Sequence, residues 1–377
     1  MLGGAKVGNT INMRLPARYV GTTGAALSVE DQTEVSRSLS LNTQFHVDVT
    51  FTTQELTLNL QDFSERVLAP AIAEIANKID ADGLLMAKNR TSNVVGTPGA
   101  TPNALLTYAT AGAYMSQEGT PRDGLRSMIL EPLAMATIVD ALKGLFQQSD
   151  EIGEQYMQGL MGRALGFKWA EDQNVAVHTT GPLGGTPLVA GANQGIIVGW
   201  ADFTDLSTNG WTAAAATRLN VGDIITIAGV TAVNPRNRAS VGRLRTFVVS
   251  STTEGNVASD GSGNATVRVR PAIIGGGQFQ NVTARPAGGA PITVIGTANT
   301  VSPRNIGYHR DAFVLGMADL ELPEGVHFSG RVSDKQLGIS IRMVRQYAIS
   351  TDTIPARFDV LYGWAPLLPE MAVAVAG

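Results

Sequence analysis

The chain has 377 residues, 44% hydrophobic and 16% charged, with 42 glycines and no cysteine; this is enough for two domains, or for one with a large insertion, and it rules out disulfides, thiolate metal sites and cysteine nucleophiles. No apolar run approaches the roughly 20 residues of a membrane helix, and the N-terminal MLGGAKVGNTINMR lacks the apolar core of a signal peptide, so a soluble chain made in the cytoplasm is expected. The net charge of −4 is unevenly spread: from Arg218 to Thr300 there are eight arginines, no lysine and three acids, a net +5 that leaves −9 on the remainder, and such a change of sign is a domain-boundary signal.

Residues 1–33 are polar, contain glycine and keep no period, which predicts an extended arm. Val35, Leu39, Leu41, Phe45, Val47, Val49 and Phe51 then share one parity, with Asn42, Thr43 and Gln44 as a turn, and the phase changes at TTQE so that Leu56, Leu58 and Leu60 take the other parity. Alternation of this kind buries one face of a strand, here read as a hairpin. A two-stranded ribbon is not stable alone in water, so its apolar face needs a partner.

A long helix is predicted over 62–90. Asp62 with Glu65 three residues on is a capping-box variant, and Phe63, Val67, Ala71, Ile75 and Ile79 recur every four residues, with Leu68 and Ile72 beside them. Pro70 should kink it or divide a first turn from the main body. After the loop TSNVVGTPGATPNA comes a short helix over Ala104 to Gln117, then the charged turn PRDGLRSMILEP into a strand. Pro132 opens a further helix with Ile138, Leu142 and Leu145 on one face.

GLMGRALGFKWAEDQNVAVH predicts a glycine-punctuated loop leading to a strand, and QGIIVGW a compact apolar strand. From about Arg218 to Thr300 the texture is all-β: GDIITIAGV, RLRTFVVSS, ATVRVRPAI and PITVIGT are short strands divided by turns such as DGSGN, the spacing of a small barrel. Near the end GISIRMVRQYAIS carries Ile339, Ile341, Met343, Tyr347 and Ile349 on one side, and ARFDVLYGW carries Phe358, Val360 and Tyr362. A mixed α+β body with a β insertion follows.

Nothing in the sequence converges into an enzyme site. His46, His178, His309 and His327 lie far apart and form no HxxH, HExxH or HxH pattern, so each reads as a surface or hydrogen-bonded histidine. GGAKVGNT misses the phosphate-loop spacing and reads as arm; ASDGSGNAT lacks calcium-loop spacing and reads as a hairpin turn. YHRDAF reads as a strand entry with a local ion pair. The arginines of 218–300, without lysine and with Phe247 and Phe279 as their only aromatics, favour carboxylates of a protein partner over stacked bases, with NPRNRASVGRLR the most exposed basic loop.

Taken in order, FTTQELTLNLQDFSERVLAPAIAEIANKIDADGL, PRDGLRSMILEPLAMATIVDALKGLFQ, LMGRALGFKWAEDQNVAVHT, NVGDIITIAGVTAVNP, DGSGNATVRV, YHRDAFVLGMADLELP and RVSDKQLGISIRMVRQYAISTDTIPARFDVLYGW resemble the major capsid (coat) protein of tailed bacteriophages, of the podovirus type with an inserted β-barrel. The resemblance implies the Hong Kong 97-type capsid fold. Its parts map to an N-terminal arm at 1–33, an E-loop at 34–61, a peripheral domain with its spine helix at 62–121, an axial domain at 122–217 and 301–328, an inserted barrel at 218–300, and peripheral strands at 329–377. Relatives of this type carry more chain before the equivalent of KVGNTINMRLPARYVG, so a shortened arm is expected.

The same resemblance implies a virion shell of hexamers and pentamers around double-stranded DNA contacted non-specifically. Assembly is expected in the host cytoplasm, with scaffolding and portal partners, no cofactor, no metal, no membrane and no catalysis. The stripe Val35, Leu39, Leu41, Phe45, Val47, Val49 and Phe51 is then expected to meet a neighbouring subunit. Arg236, Arg238 and Arg243 are candidates for ion pairs between capsomers. The alternatives are another phage structural protein, a prophage-derived nanocompartment shell or, less well supported, an enzyme with an appended β domain.

Overall fold

The computed structural model describes residues 8–27, 29, 33–54, 69–142, 162–250, 255–334 and 338–377. The chain forms two compact units. The first comprises Met1–Met13, Ser36–Gly83 and Val314–Ala365, and the second Arg14–Val35, Leu84–Phe313 and Pro366–Gly377. Among the described residues the architecture is mixed α+β, with few helices and many strands.

The first unit is a sheet covered by one helix. Of the helix expected over 62–90, the described part is α1, Ala69–Arg90; Asp62, Glu65, Leu56, Leu58 and Leu60 lie outside the described residues. Ala71, Ile75 and Ile79 are buried as the four-residue spacing requires, while Ile72 faces out. They pack on Phe358, Val360 and Tyr362 of the long strand Thr353–Pro366. That strand is flanked by Phe313–Ala318 and Ile339–Arg345, the latter paired in turn with Phe328–Asp334, and Thr43–Thr52 also pairs with it. The helix is tied down by polar tips: Trp364 Nε1 donates to the Ile79 carbonyl at 2.9 Å and the Tyr362 hydroxyl lies 2.6 Å from Asp82 Oδ2.

The expected hairpin over 35–51 is not formed. Ser36–Ser40 pairs with Thr10–Arg14 of the arm, and Thr43–Thr52 pairs antiparallel with Thr353–Pro366, placing Phe45 opposite Val360 and Val47 opposite Phe358. Periodicity reports which face of a strand is buried, and it is silent on the partner strand. The crossover is tight: a Cβ on Gly363 would stand 2.0 Å from the Ser40 carbonyl oxygen, so only glycine fits. Ile341 and Met343 face the core as the alternation requires, whereas Tyr347 and Ile349, past the strand's end, are exposed.

Among the described residues the second unit holds two large sheets and the two-stranded pair Ala216–Leu219 with Val257–Ser259. One runs in the order Val94–Gly96, Ala372–Ala376, Val301–His309, Arg126–Leu130, Phe167–Glu171, Arg163–Ala164, with Val177–Thr179 also paired to Val301–His309. Its strand AVAVA is buried at every position, the signature of a strand covered on both faces. Helices α2, Leu105–Gln117, and α3, Pro132–Leu142, contribute Tyr108, Ala111, Met115, Ala134, Met135 and Ile138 to its core beside Phe167 and Trp169.

The other sheet has six strands, in the order Ile292–Val294, Ile224–Val233, Ser240–Ser250, Ala265–Arg270, Thr204–Trp211, Gly185–Val189. A single bridge from Leu188 to Pro291 links its first and last strands into a ring. Leu206, Ile225, Ile227, Phe247, Val249, Val267 and Val269 fill it and are fully buried. The DGSGN turn forms as expected, with Asp260 Oδ1 accepting the backbone N–H of Ser262 and Asn264, each at 2.8 Å.

Several expected boundaries move. The ring starts at Gly185 and not at Arg218, because two strands without a basic residue, Gly185–Val189 and Thr204–Trp211, complete it. Surface charge changed where strand pairing did not. QGIIVGW forms no strand: apart from the single bridge from Ile196 to Ile274 it is irregular, and Ile197 and Val198 are exposed. Residues 84–121, expected beside the spine helix, and the last strand Ala372–Ala376, expected among the peripheral strands, both belong to the second unit, while Val314 onward, expected in the axial part, belongs to the first. Each of these segments is placed by partners far away in sequence.

Candidate assembly surfaces

The seven stripe residues are not stranded on the surface of the subunit. Phe45, Val47 and Val49 pack on the Ile75 and Val360 core. Leu39 and Leu41 close over Gly316, where a Cβ would lie 2.4 and 3.1 Å from their methyl groups. Val35 packs with Ala272, Ile274 and Phe279, and Phe51 is half-buried. A lone subunit therefore covers much of this face itself, which corrects the expectation that a neighbour alone covers it. The outward row of Thr43–Thr52 is Gln44, His46, Asp48 and Thr50. There Arg357 grips Asp48 through two bonds of 2.8 and 3.1 Å and holds its carboxyl below the usual range. Among the described residues of the first unit the exposed large apolar side chains are instead Ile11, Ile72, Leu322, Phe328, Val332, Tyr347 and Ile349.

The arginine candidates separate in the same way. Arg243 is half-buried: its Nη2 donates to Glu118 Oε1 at 2.8 Å, its Nε to Gln117 Oε1, and its guanidinium lies 4.3 Å over the Tyr114 ring. Arg245 reaches the same Glu118 oxygen. Burial pulls the Arg243 guanidinium below its usual range, with the Glu118 carboxylate opposing. This pair of arginines on one carboxylate fixes the strand Ser240–Ser250 to the end of α2, so Arg243 is no free partner for another capsomer. Arg238 takes a left-handed backbone, φ 58°, and donates to the carbonyls of Gly277 and Tyr19. Among the described residues Arg236 is the exposed one of the three, with a guanidinium that has no partner.

The buried clusters were missed by sequence reading. Arg243 and Arg245 share a strand face by period two, so two charges inside an otherwise apolar strand were the available signal for Glu118. His178 Nε2 lies 2.8 Å from Asp223 Oδ1, both buried, and desolvation holds this histidine below its usual range. His309 sits between Asp123 and Asp311 at 3.2 and 3.5 Å, and Arg310 Nε lies 3.5 Å from Asp311 Oδ1, the local ion pair expected for YHRDAF. No group of three acids or histidines among the described residues is arranged to hold a metal ion.

Residues 5–377 match the family model described as P22 coat protein, gene protein 5. The chain belongs to the P22 coat protein family. It is a major capsid protein of the tailed-phage type, a structural protein that builds an icosahedral shell. Among solved structures it is similar to the capsid of cyanophage P-SCSP1u, at 10% identity over 98% of this chain and 84% of that one, with a TM-score of 0.47. The mature capsid of bacteriophage PhiM1 matches at 10% identity over 98% and 82%, TM-score 0.46. The CUS-3 coat protein I-domain matches 30% of this chain and 96% of its own at 24% identity, TM-score 0.22. No curated protein matches the chain.

Proposed function

We propose that this coat protein builds its shell as hexamers and pentamers with the Hong Kong 97-type parts: α1 as spine helix, the chain around Thr43–Thr52 as E-loop, and the six-stranded ring as the inserted barrel. Scaffolding and portal partners direct assembly in the host cytoplasm, and the shell holds double-stranded DNA without specific grip, since clustered cations are what phosphate binding requires. Contacts between subunits are made by the first unit, and Arg236 pairs with a carboxylate on the next capsomer. The observation that carries this reading is the exposure of single apolar side chains on the first unit, Val332 and Ile349 above all, at 78% and 85%. Surface of that kind is retained where a partner covers it.

The test is a double variant, Val332→Asp with Ile349→Asp. The monomer should keep its circular dichroism and melting temperature, because both side chains already face water, while light scattering and negative-stain microscopy show no closed shells. Normal shells at normal yield would refute the assigned surface. Arg236→Glu should weaken shells or divert them to tubes, and unchanged salt resistance of those shells would exclude it from the capsomer contact.

A further inference from the structure

A buried guanidinium has five N–H donors to satisfy, and an unmet one costs free energy comparable to a lost hydrogen bond to a charged group. Arg218 is the satisfied case: buried, it donates to Ser259 Oγ at 2.9 Å and to the carbonyls of Leu183, Thr212 and Ala214 at 3.0 to 3.2 Å. Arg304, on the strand Val301–His309, is the opposite. It is 2% exposed, and among the described residues its Nε, Nη1 and Nη2 have no hydrogen-bond partner. Burial takes its pKa down to about 10, with the field of Asp223 opposing.

Asp223 does not serve as its partner. That carboxylate is occupied by His178 Nε2 at 2.8 Å and by the backbone N–H groups of Asn220 and Gly181 at 2.7 and 3.1 Å. Lys88, near the end of α1, is pulled down by burial and then by the charge of Arg304. Two cations thus feel one carboxylate, and desolvation holds His178 toward its neutral form, so the cluster keeps a positive excess. The surroundings are polar and also incomplete: Ser302 Oγ, which sits opposite His178 in the strand pairing, Thr180 Oγ1 and Asn89 Oδ1 are buried without partners. Gly222 packs tightly against this cluster, where a Cβ would meet Asn89 Oδ1 at 3.0 Å and the His178 ring at 3.2 Å.

We propose that Arg304 and Lys88 hold a small inorganic anion, an oxyanion such as phosphate or a halide such as chloride, inside the second unit. Water alone satisfies N–H groups but leaves the buried positive excess uncompensated, which is the larger cost. The anion accepts from the three guanidinium nitrogens, and the hydroxyls of Ser302 and Thr180 add neutral donors. Lys88, half-buried, lies at the rim.

The test titrates sodium phosphate, and separately sodium chloride at matched ionic strength, into the soluble full-length subunit, followed by calorimetry and thermal unfolding. A saturable one-site isotherm and a melting temperature that climbs with the logarithm of anion concentration are expected with at least one of the two salts. Lys88→Gln should weaken that binding by at least about tenfold, the loss expected for one charged hydrogen bond, and Arg304→Gln should abolish it. Arg310→Gln, an exposed control, should bind like the wild type. No saturable response to either salt, or equal binding by Lys88→Gln and wild type, would overturn the site and leave water as its occupant. If Arg304→Gln fails to fold, Lys88→Gln still decides.

Discussion

The six-stranded ring and the first unit solve the same problem, burying alternating strands, to different degrees. Inside the ring the inward residues of Ile224–Val233, Ser240–Ser250 and Ala265–Arg270 are buried, and a single bridge links its first and last strands. In the first unit the corresponding positions of Thr43–Thr52, Phe313–Ala318 and Ile339–Arg345 are nearly all half-buried, and α1 is the one helix packed on them among the described residues. The ring is a self-sufficient core; the first unit is an unfinished one. On the proposed assembly a coat subunit would gain from this division, because apolar surface covered by neighbours makes association favourable.

The largest blow to this comparison falls on the joint that fixes the ring within its own unit. Glu118→Ala leaves the buried Arg245 and the half-buried Arg243 without their carboxylate, and breaking a buried charge cluster from one side costs about 3–5 kcal/mol. Chemical denaturation of the soluble subunit should show that loss. Replacing all three, Glu118→Leu with Arg243→Met and Arg245→Met, should recover most of it, since well-packed apolar residues of similar volume substitute for buried ion pairs at little cost. A triple variant as unstable as the single one would show that packing around α2, and not the unpaired charge, sets the loss.

A matched pair of truncations sharpens the contrast. Ile225→Ala empties a fully buried position in the ring and should cost about 2–5 kcal/mol in the monomer. Ile341→Ala removes the same atoms from a half-buried position of the first unit and should cost about 1–2 kcal/mol there. The order should narrow in the shell: Ile341→Ala shells should dissociate at lower denaturant than wild type, Ile225→Ala shells in step with their monomer. Equal losses in the two monomers would refute the idea that the first unit is left unfinished.

What the sequence made legible follows the physics of pattern. Alternation in HVDVTFT and the four-residue spacing of Ala71, Ile75 and Ile79 marked the faces that are buried, because burial is written in side chains. Strand partners were not legible: nothing local tells Thr43–Thr52 to pair with a strand three hundred residues on, or AVAVA to join Val94–Gly96. The ring's first two strands were missed since the argument for its boundary used charge, a surface property. Among the candidate residues, Arg236 is exposed and its role between capsomers is a proposal, whereas the partner of Arg243, Glu118, is internal. An arginine in a basic stretch looks the same whether its carboxylate lies inside or outside the chain.

The smallest effect tests the outer row of the first unit. Asp48 and Arg357 pair directly across Thr43–Thr52 and Thr353–Pro366, but both are about half exposed, so solvent screens the pair and its worth is at most about 1 kcal/mol. Because Arg357 holds the Asp48 carboxyl below its ordinary 3.8, the sign is fixed: the contribution is present above that pH and is lost as the pH falls through the depressed folded-state value. Asp48→Asn should therefore lower stability slightly at pH 7 and by less as the pH falls, and 1 M salt should erase even the neutral-pH difference. If Asp48→Asn leaves the monomer unchanged but weakens shells at neutral pH, the Asp48–Arg357 row contacts a neighbour, and the unfinished part of the first unit extends to its polar face.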